Sequence, residues 1–126
     1  MKYLLDTHIL LWWLGDEQKL SPQIRTIISN PENVIFVSTA TIWEMSIKQS
    51  LGKLSVPNNL LEKLKDNNFT ILHITAEHGL KIKDLPLYHK DPFDRMLIVQ
   101  SIIEDLTIIT LDTKFPLYNI SLLIIP

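Results

Sequence analysis

The chain contains no cysteine, only 3 glycines, and no apolar run long enough to cross a bilayer. Without thiols there is no disulfide framework, no Cys-based zinc site and no thiol nucleophile. A membrane-spanning helix needs about 20 consecutive apolar residues, and the apolar opening 1–14 is broken by Asp6 and His8. That opening also lacks a small-residue cleavage site, so no secretory signal is expected, and the expected location is cytoplasmic. A strongly basic balance is missing too: 12 Lys and Arg face 14 Asp and Glu, for a formal charge of −2. This argues against a general nucleic-acid coat but does not exclude a nuclease. If four carboxylates surround a cation, the other ten acids face twelve bases, and one divalent ion brings the whole chain to neutrality. No repeat, low-complexity tract or linker interrupts the 126 residues, which suit a single domain over 1–126.

What the chain does have is an alternation of two kinds of segment. Tyr3–Asp6, Val34–Ser38, Ile71–Ile74, Thr107–Thr110 and Leu122–Ile125 are short apolar runs rich in β-branched residues, and read as buried strands. Helix punctuation lies between them. Ser21 before Pro22 places an N-cap ahead of a proline at the first helical position. Asn59 with Glu62 resembles a capping box. Asp91-Pro92 opens the longest helix, predicted over 92–105, whose apolar residues run nearly all round and predict an interior position. Gly15 and Gly52 stand where helices over 8–14 and 40–50 should stop. Strands alternating with helices predict a parallel sheet covered on both faces. In such a sheet ligands bind at the edge where strands end and the next helices begin.

Four acids, distant in sequence, are predicted to share that edge. Asp6 ends the first strand; Glu44 lies about a turn and a half into the helix after the second; Asp94 is in the first turn of the long helix; Asp112 follows the fourth strand. Each alone has an ordinary explanation. Asp6 can cap a helix, Glu44 can pair with Lys48 four residues on, Asp94 complements a helix dipole, and Asp112 can open a loop. Ala40, Ile47 and Leu51 share the Glu44 face, which argues against a fully solvated carboxylate. Together, four like charges raise one another's pKa or demand a cation. Oxygen donors suit a hard divalent ion such as Mg²⁺, and two ions about 3.5–4 Å apart can serve phosphodiester chemistry. No His pair or Cys set offers a zinc site.

At these residues the chain resembles a PIN domain and, within that superfamily, a VapC-type toxin ribonuclease. The matching segments are Leu5-Asp6-Thr7-His8 with Leu11-Trp12-Trp13; Ser38, Thr41, Trp43-Glu44 and Ile47-Lys48; Gly52-Lys53-Leu54; Asp91-Pro92-Phe93-Asp94-Arg95; and Thr110-Leu111-Asp112. The resemblance implies a three-layer α/β/α sandwich around a mainly parallel sheet of about five strands. It implies Mg²⁺- or Mn²⁺-dependent endoribonuclease activity with one or two ions per site, held by Asp6, Glu44, Asp94 and Asp112. It further implies a homodimer and a small cognate antitoxin, with Thr7, Thr110 and Asp91 as supporting residues. At 94–101 the family often has alanines where this chain has Val99 and Ser101.

Basic residues near that edge, His8, Lys48, His89, Lys90 and Arg95, are candidates to meet RNA phosphate. Trp12 and Trp13 point about 100° apart on a helix, so one of them is expected at a surface or interface. His73 is expected as a structural histidine inside a strand. Two rival readings remain open. A haloacid-dehalogenase-like phosphatase would use Asp6 as nucleophile, but the second acid such enzymes place two residues on is His8 here. A non-catalytic module would use the acidic cluster and the Trp-bearing surface only to bind a partner.

Overall fold

The computed structural model describes residues 1–124. Five strands, β1 (Lys2–Leu5), β2 (Val34–Ser38), β3 (Thr70–Leu72), β4 (Thr107–Ile109) and β5 (Leu122–Leu123), form one all-parallel sheet in the order β3-β2-β1-β4-β5. Six α-helices connect and cover them: α1 (Thr7–Gly15), α2 (Pro22–Ser29), α3 (Thr39–Ser50), α4 (Leu60–Asp66), α5 (Ala76–Lys81) and α6 (Pro92–Glu104). Of the expected last strand, Ile125 lies outside the described residues. The third strand begins and ends earlier than its apolar run suggests, because Thr70 takes the register place opposite Phe36 while Thr75 caps α5. His73 therefore falls after the strand and is exposed, not structural.

Alternating side chains of the central strand feed two cores. Tyr3 and Leu5 join Ile9, Leu10, Ile24, Val37 and Met45 on one side, while Leu4 joins Leu97, Ile98, Ile108 and Phe115 on the other. This two-sided burial is why β1 and β4 read as continuous apolar runs. The long helix α6 supplies much of the second core through Leu97 and Ile98, although Ile102 is 44% exposed, so its apolar circumference is not wholly interior. No helix among the described residues is long and apolar enough to cross a membrane.

The helix ends set where the site lies. Ser21 caps α2 through a bond from Ile24 N–H, with Pro22 at the first helical position. α3 closes in a Schellman turn: Gly52, at φ +71°, donates to Gln49 O and Lys53 to Lys48 O. Gly15 does not play this part, since α1 runs through it and is capped by Asp16. Asn59 makes no side-chain cap, whereas Thr75 and His78 form a reciprocal capping box at α5.

Candidate active site

Because the sheet is parallel, the ends of β1, β2 and β4 and the starts of α1, α3 and α6 meet at one edge. The chain order turns back at β1, with β2 on one side and β4 on the other, which opens a crevice there. A cavity of about 340 Å³ occupies it, lined by all four predicted acids, Asp6, Glu44, Asp94 and Asp112, and by Asp91 and Lys48.

Asp6 follows β1 directly and caps α1, its Oδ1 accepting from His8 N–H at 3.3 Å. Its other oxygen accepts from the buried Thr110 hydroxyl at 2.5 Å. Thr110 Oγ1 in turn accepts from Asp112 N–H at 3.0 Å, so one hydroxyl ties the acids after β1 and β4 together. Glu44 is buried, and both of its oxygens are engaged: Thr7 Oγ1 donates to Oε1 at 2.7 Å and Lys48 Nζ to Oε2 at 2.6 Å. Asp91 caps α6, its Oδ1 accepting from both Phe93 and Asp94 N–H at 2.9 Å. That leaves Asp94 in the first turn, facing the other acids.

The electrostatic consequence falls mainly on Asp94. Burial, followed by the negative charges of Asp6, Asp91, Glu44 and Asp112, pushes its carboxyl up to about 8. Burial also raises Asp6, against the lowering effect of its bonds from Thr110 and His8 N–H. Lys48 is raised by its bond to Glu44. The one lysine on the cavity wall is thus committed to the acid that already has a second donor, and the remaining negative charge is unbalanced.

His89 is the residue whose place sequence reasoning missed. Expected at RNA phosphate, it is instead buried behind the carboxylates, with Nε2 3.0 Å from Asp94 Oδ2 and 3.1 Å from Asp112 Oδ2. One ligand-type atom from each of these three residues lies within 4.8 Å of the others, so a histidine does join the cluster. Its position before the Asp91 cap was the only signal, since no spacing pattern connects it with Asp112.

The other basic candidates divide. Arg95 does not reach the cavity: its guanidinium donates to the carbonyls of Ile82, Leu85, Pro86 and His89, stapling the loop before α6. Lys90 is exposed and, with Arg95, lines a separate apolar groove beside Trp43 and Leu87. Lys48 reaches the acidic cavity but is bonded to Glu44, while His8 lines it with an exposed ring 6.3 Å from that of Trp12. Trp12 and Trp13 are both half-buried against the first core, and Trp13 Nε1 donates to Asn67 Oδ1 at 3.0 Å.

The PIN domain family model matches residues 3–120 of the chain. Among solved structures, VapBC2 from Rickettsia felis bound to a DNA fragment of its promoter is similar at 19% identity, covering 98% of each chain with a TM-score of 0.74. DNA-bound VapBC from Salmonella typhimurium is similar at 17% identity, 98% of each chain and a TM-score of 0.70. VapBC-1 from nontypeable Haemophilus influenzae is similar at 15% identity, 98% of this chain, 97% of that one and a TM-score of 0.62. At these identities the likeness is one of fold. No curated protein matches the sequence.

Proposed function

The chain belongs to the PIN domain family, and from that membership we propose that it is a divalent-metal-dependent endoribonuclease acting as the toxin of a toxin–antitoxin pair. The observation that carries the reading is the convergence of Asp6, Glu44, Asp94 and Asp112 on one cavity with too little positive charge to balance them. The donor set fits the expected ion: hard carboxylate oxygens suit Mg²⁺ or Mn²⁺, and the raised Asp94 carboxyl marks the charge such an ion would neutralise. Asp6, Asp94 and Asp112 would hold it. Glu44, with Thr7 and Lys48 on its two oxygens, would act at one remove. When bound, the ion supplies an activated water and stabilises charge on the departing oxygen of the phosphodiester.

The chain's own residues do the positioning. Thr110 fixes the Asp6 carboxylate while accepting from Asp112 N–H, so both acids move as one unit with the ends of β1 and β4. Asp91 orders the first turn of α6 and thereby aims Asp94. Lys48, its side chain 40% exposed and set on the cavity wall, holds Glu44 Oε2 with one donor and leaves its others for a phosphate.

A protein partner is supported by the groove between α3 and α6, where Trp43 is 59% and Leu87 69% exposed. Exposed apolar surface of this kind marks contacts with other chains. A cognate antitoxin and a homodimer are the partners proposed, and the crystallised VapBC complexes of similar fold support the first.

The test is cleavage of RNA by purified protein with Mn²⁺, with chelator, and with Asp6→Asn. The reading expects cuts leaving 5′-phosphate and 3′-hydroxyl ends with Mn²⁺ only, and none from the variant. A fully active Asp6→Asn protein in ribonuclease-free preparations would remove it.

A further inference from the structure

We infer that His89 is a positioning residue of the acidic site: its Nε2–H bridges Asp94 and Asp112 and fixes their separation, and the imidazole does not itself bind the metal. The inference rests on the reading that the acids hold a divalent cation. The ring's tautomer follows from its neighbours. The backbone N–H of Asp91 points at His89 Nδ1 from 3.2 Å. A backbone N–H only donates, so Nδ1 presents its lone pair, and the proton of the neutral ring is on Nε2. That N–H faces Asp94 Oδ2 at 3.0 Å and Asp112 Oδ2 at 3.1 Å. A ring nitrogen that carries hydrogen has no lone pair to give a cation.

The ring is also held as a fixed part. It is 6% exposed, stands edge-on to Phe115 at 5.7 Å, and is absent from the cavity wall that its two acids line. Its backbone N–H donates to the Tyr118 hydroxyl at 2.9 Å, and that hydroxyl donates to Pro86 O at 2.6 Å. The loop before α6 is thereby anchored to the segment after β4. Asp112 belongs to the second of these segments and Asp94 to the first turn of α6, just after the first, so the imidazole sets the distance between them. Groups that orient metal ligands in this way are worth about 10–100-fold in metal affinity.

Two substitutions and one spectrum test this. His89→Gln keeps an N–H donor at nearly the same reach, while His89→Phe keeps a ring against Phe115 and removes the donor. Nitrogen NMR of the metal-free wild type is expected to show Nε2 protonated and Nδ1 bare. Mn²⁺ titration followed by electron paramagnetic resonance should show the Phe variant weakened about 10–100-fold and the Gln variant within a few-fold of wild type. A proton on Nδ1, or equal Mn²⁺ affinity in wild type and the Phe variant, overturns the positioning role alone. Failure of the wild type to bind Mn²⁺ overturns the nuclease reading as well.

Discussion

Replacing Asp94 with Asn should make the metal-free protein more stable, which is unusual for a polar residue whose side chain is only 16% exposed. The Asp94 carboxyl, at 3.8 when unperturbed, is pushed up to about 8 in the fold by burial and four neighbouring carboxylates. Below its unfolded pKa both states hold the proton and there is no penalty. As pH rises past that value the unfolded chain releases the proton while the folded one retains it. Stability therefore falls through the window up to about 8 and then levels off. At about 1.4 kcal/mol per unit, the roughly three units between the unperturbed value and neutrality set a ceiling near 4 kcal/mol. Partial solvent access and coupling to Asp6 reduce the expected gain to about 1–3 kcal/mol at pH 7. Asn has the same shape, does not titrate and can still accept from His89. Urea unfolding of wild type and Asp94→Asn with chelator, at intervals from pH 4 to pH 9, reads the difference directly. The gap should be smallest at pH 4 and widen toward pH 8. A gap flat across that range, or an Asn variant less stable at pH 8, would refute the charge-crowding argument.

Mn²⁺ should raise the melting temperature of the wild type and have much less effect on Asp94→Asn, as checked by thermal scans at fixed free metal. Lys48→Met leaves one oxygen of the buried Glu44 without its donor and should cost about 1–2 kcal/mol by chemical denaturation; adding Glu44→Gln should recover most of it. Gly52→Ala places a side chain at φ +71° with no atom within 4 Å, so only backbone strain is at stake. It should cost about 1 kcal/mol in the same assay and leave RNA cleavage rates unchanged. Leu97→Ala, at a fully buried position of α6, should cost about 2–5 kcal/mol.

Much of the site's frame is written locally. Val34–Ser38 coincides with β2, Ser21-Pro22 and Asp91-Pro92 start helices where their capping chemistry requires, and two-sided burial makes β1 and β4 continuous apolar runs. Once strand and helix alternate, parallel geometry brings the four acids to one edge without any long-range signal. Tertiary contacts decide the rest. The Asn59–Glu62 pattern makes no side-chain cap, while the box at Thr75 went unread because histidine fills the place of Glu or Gln. Arg95 looks on sequence like a phosphate ligand, yet four loop carbonyls take up its guanidinium. His89 and Asp112 are 23 residues apart with no periodic relation, and meet only because Tyr118 and the Asp91 turn fold the loop onto the end of β4.

The most direct measurement is anomalous diffraction from crystals grown with Mn²⁺. The account predicts a peak within coordinating distance of carboxylate oxygens from Asp6, Asp94 and Asp112. A well-ordered acidic crevice without such a peak at saturating Mn²⁺, or manganese bound only elsewhere on the surface, would contradict it.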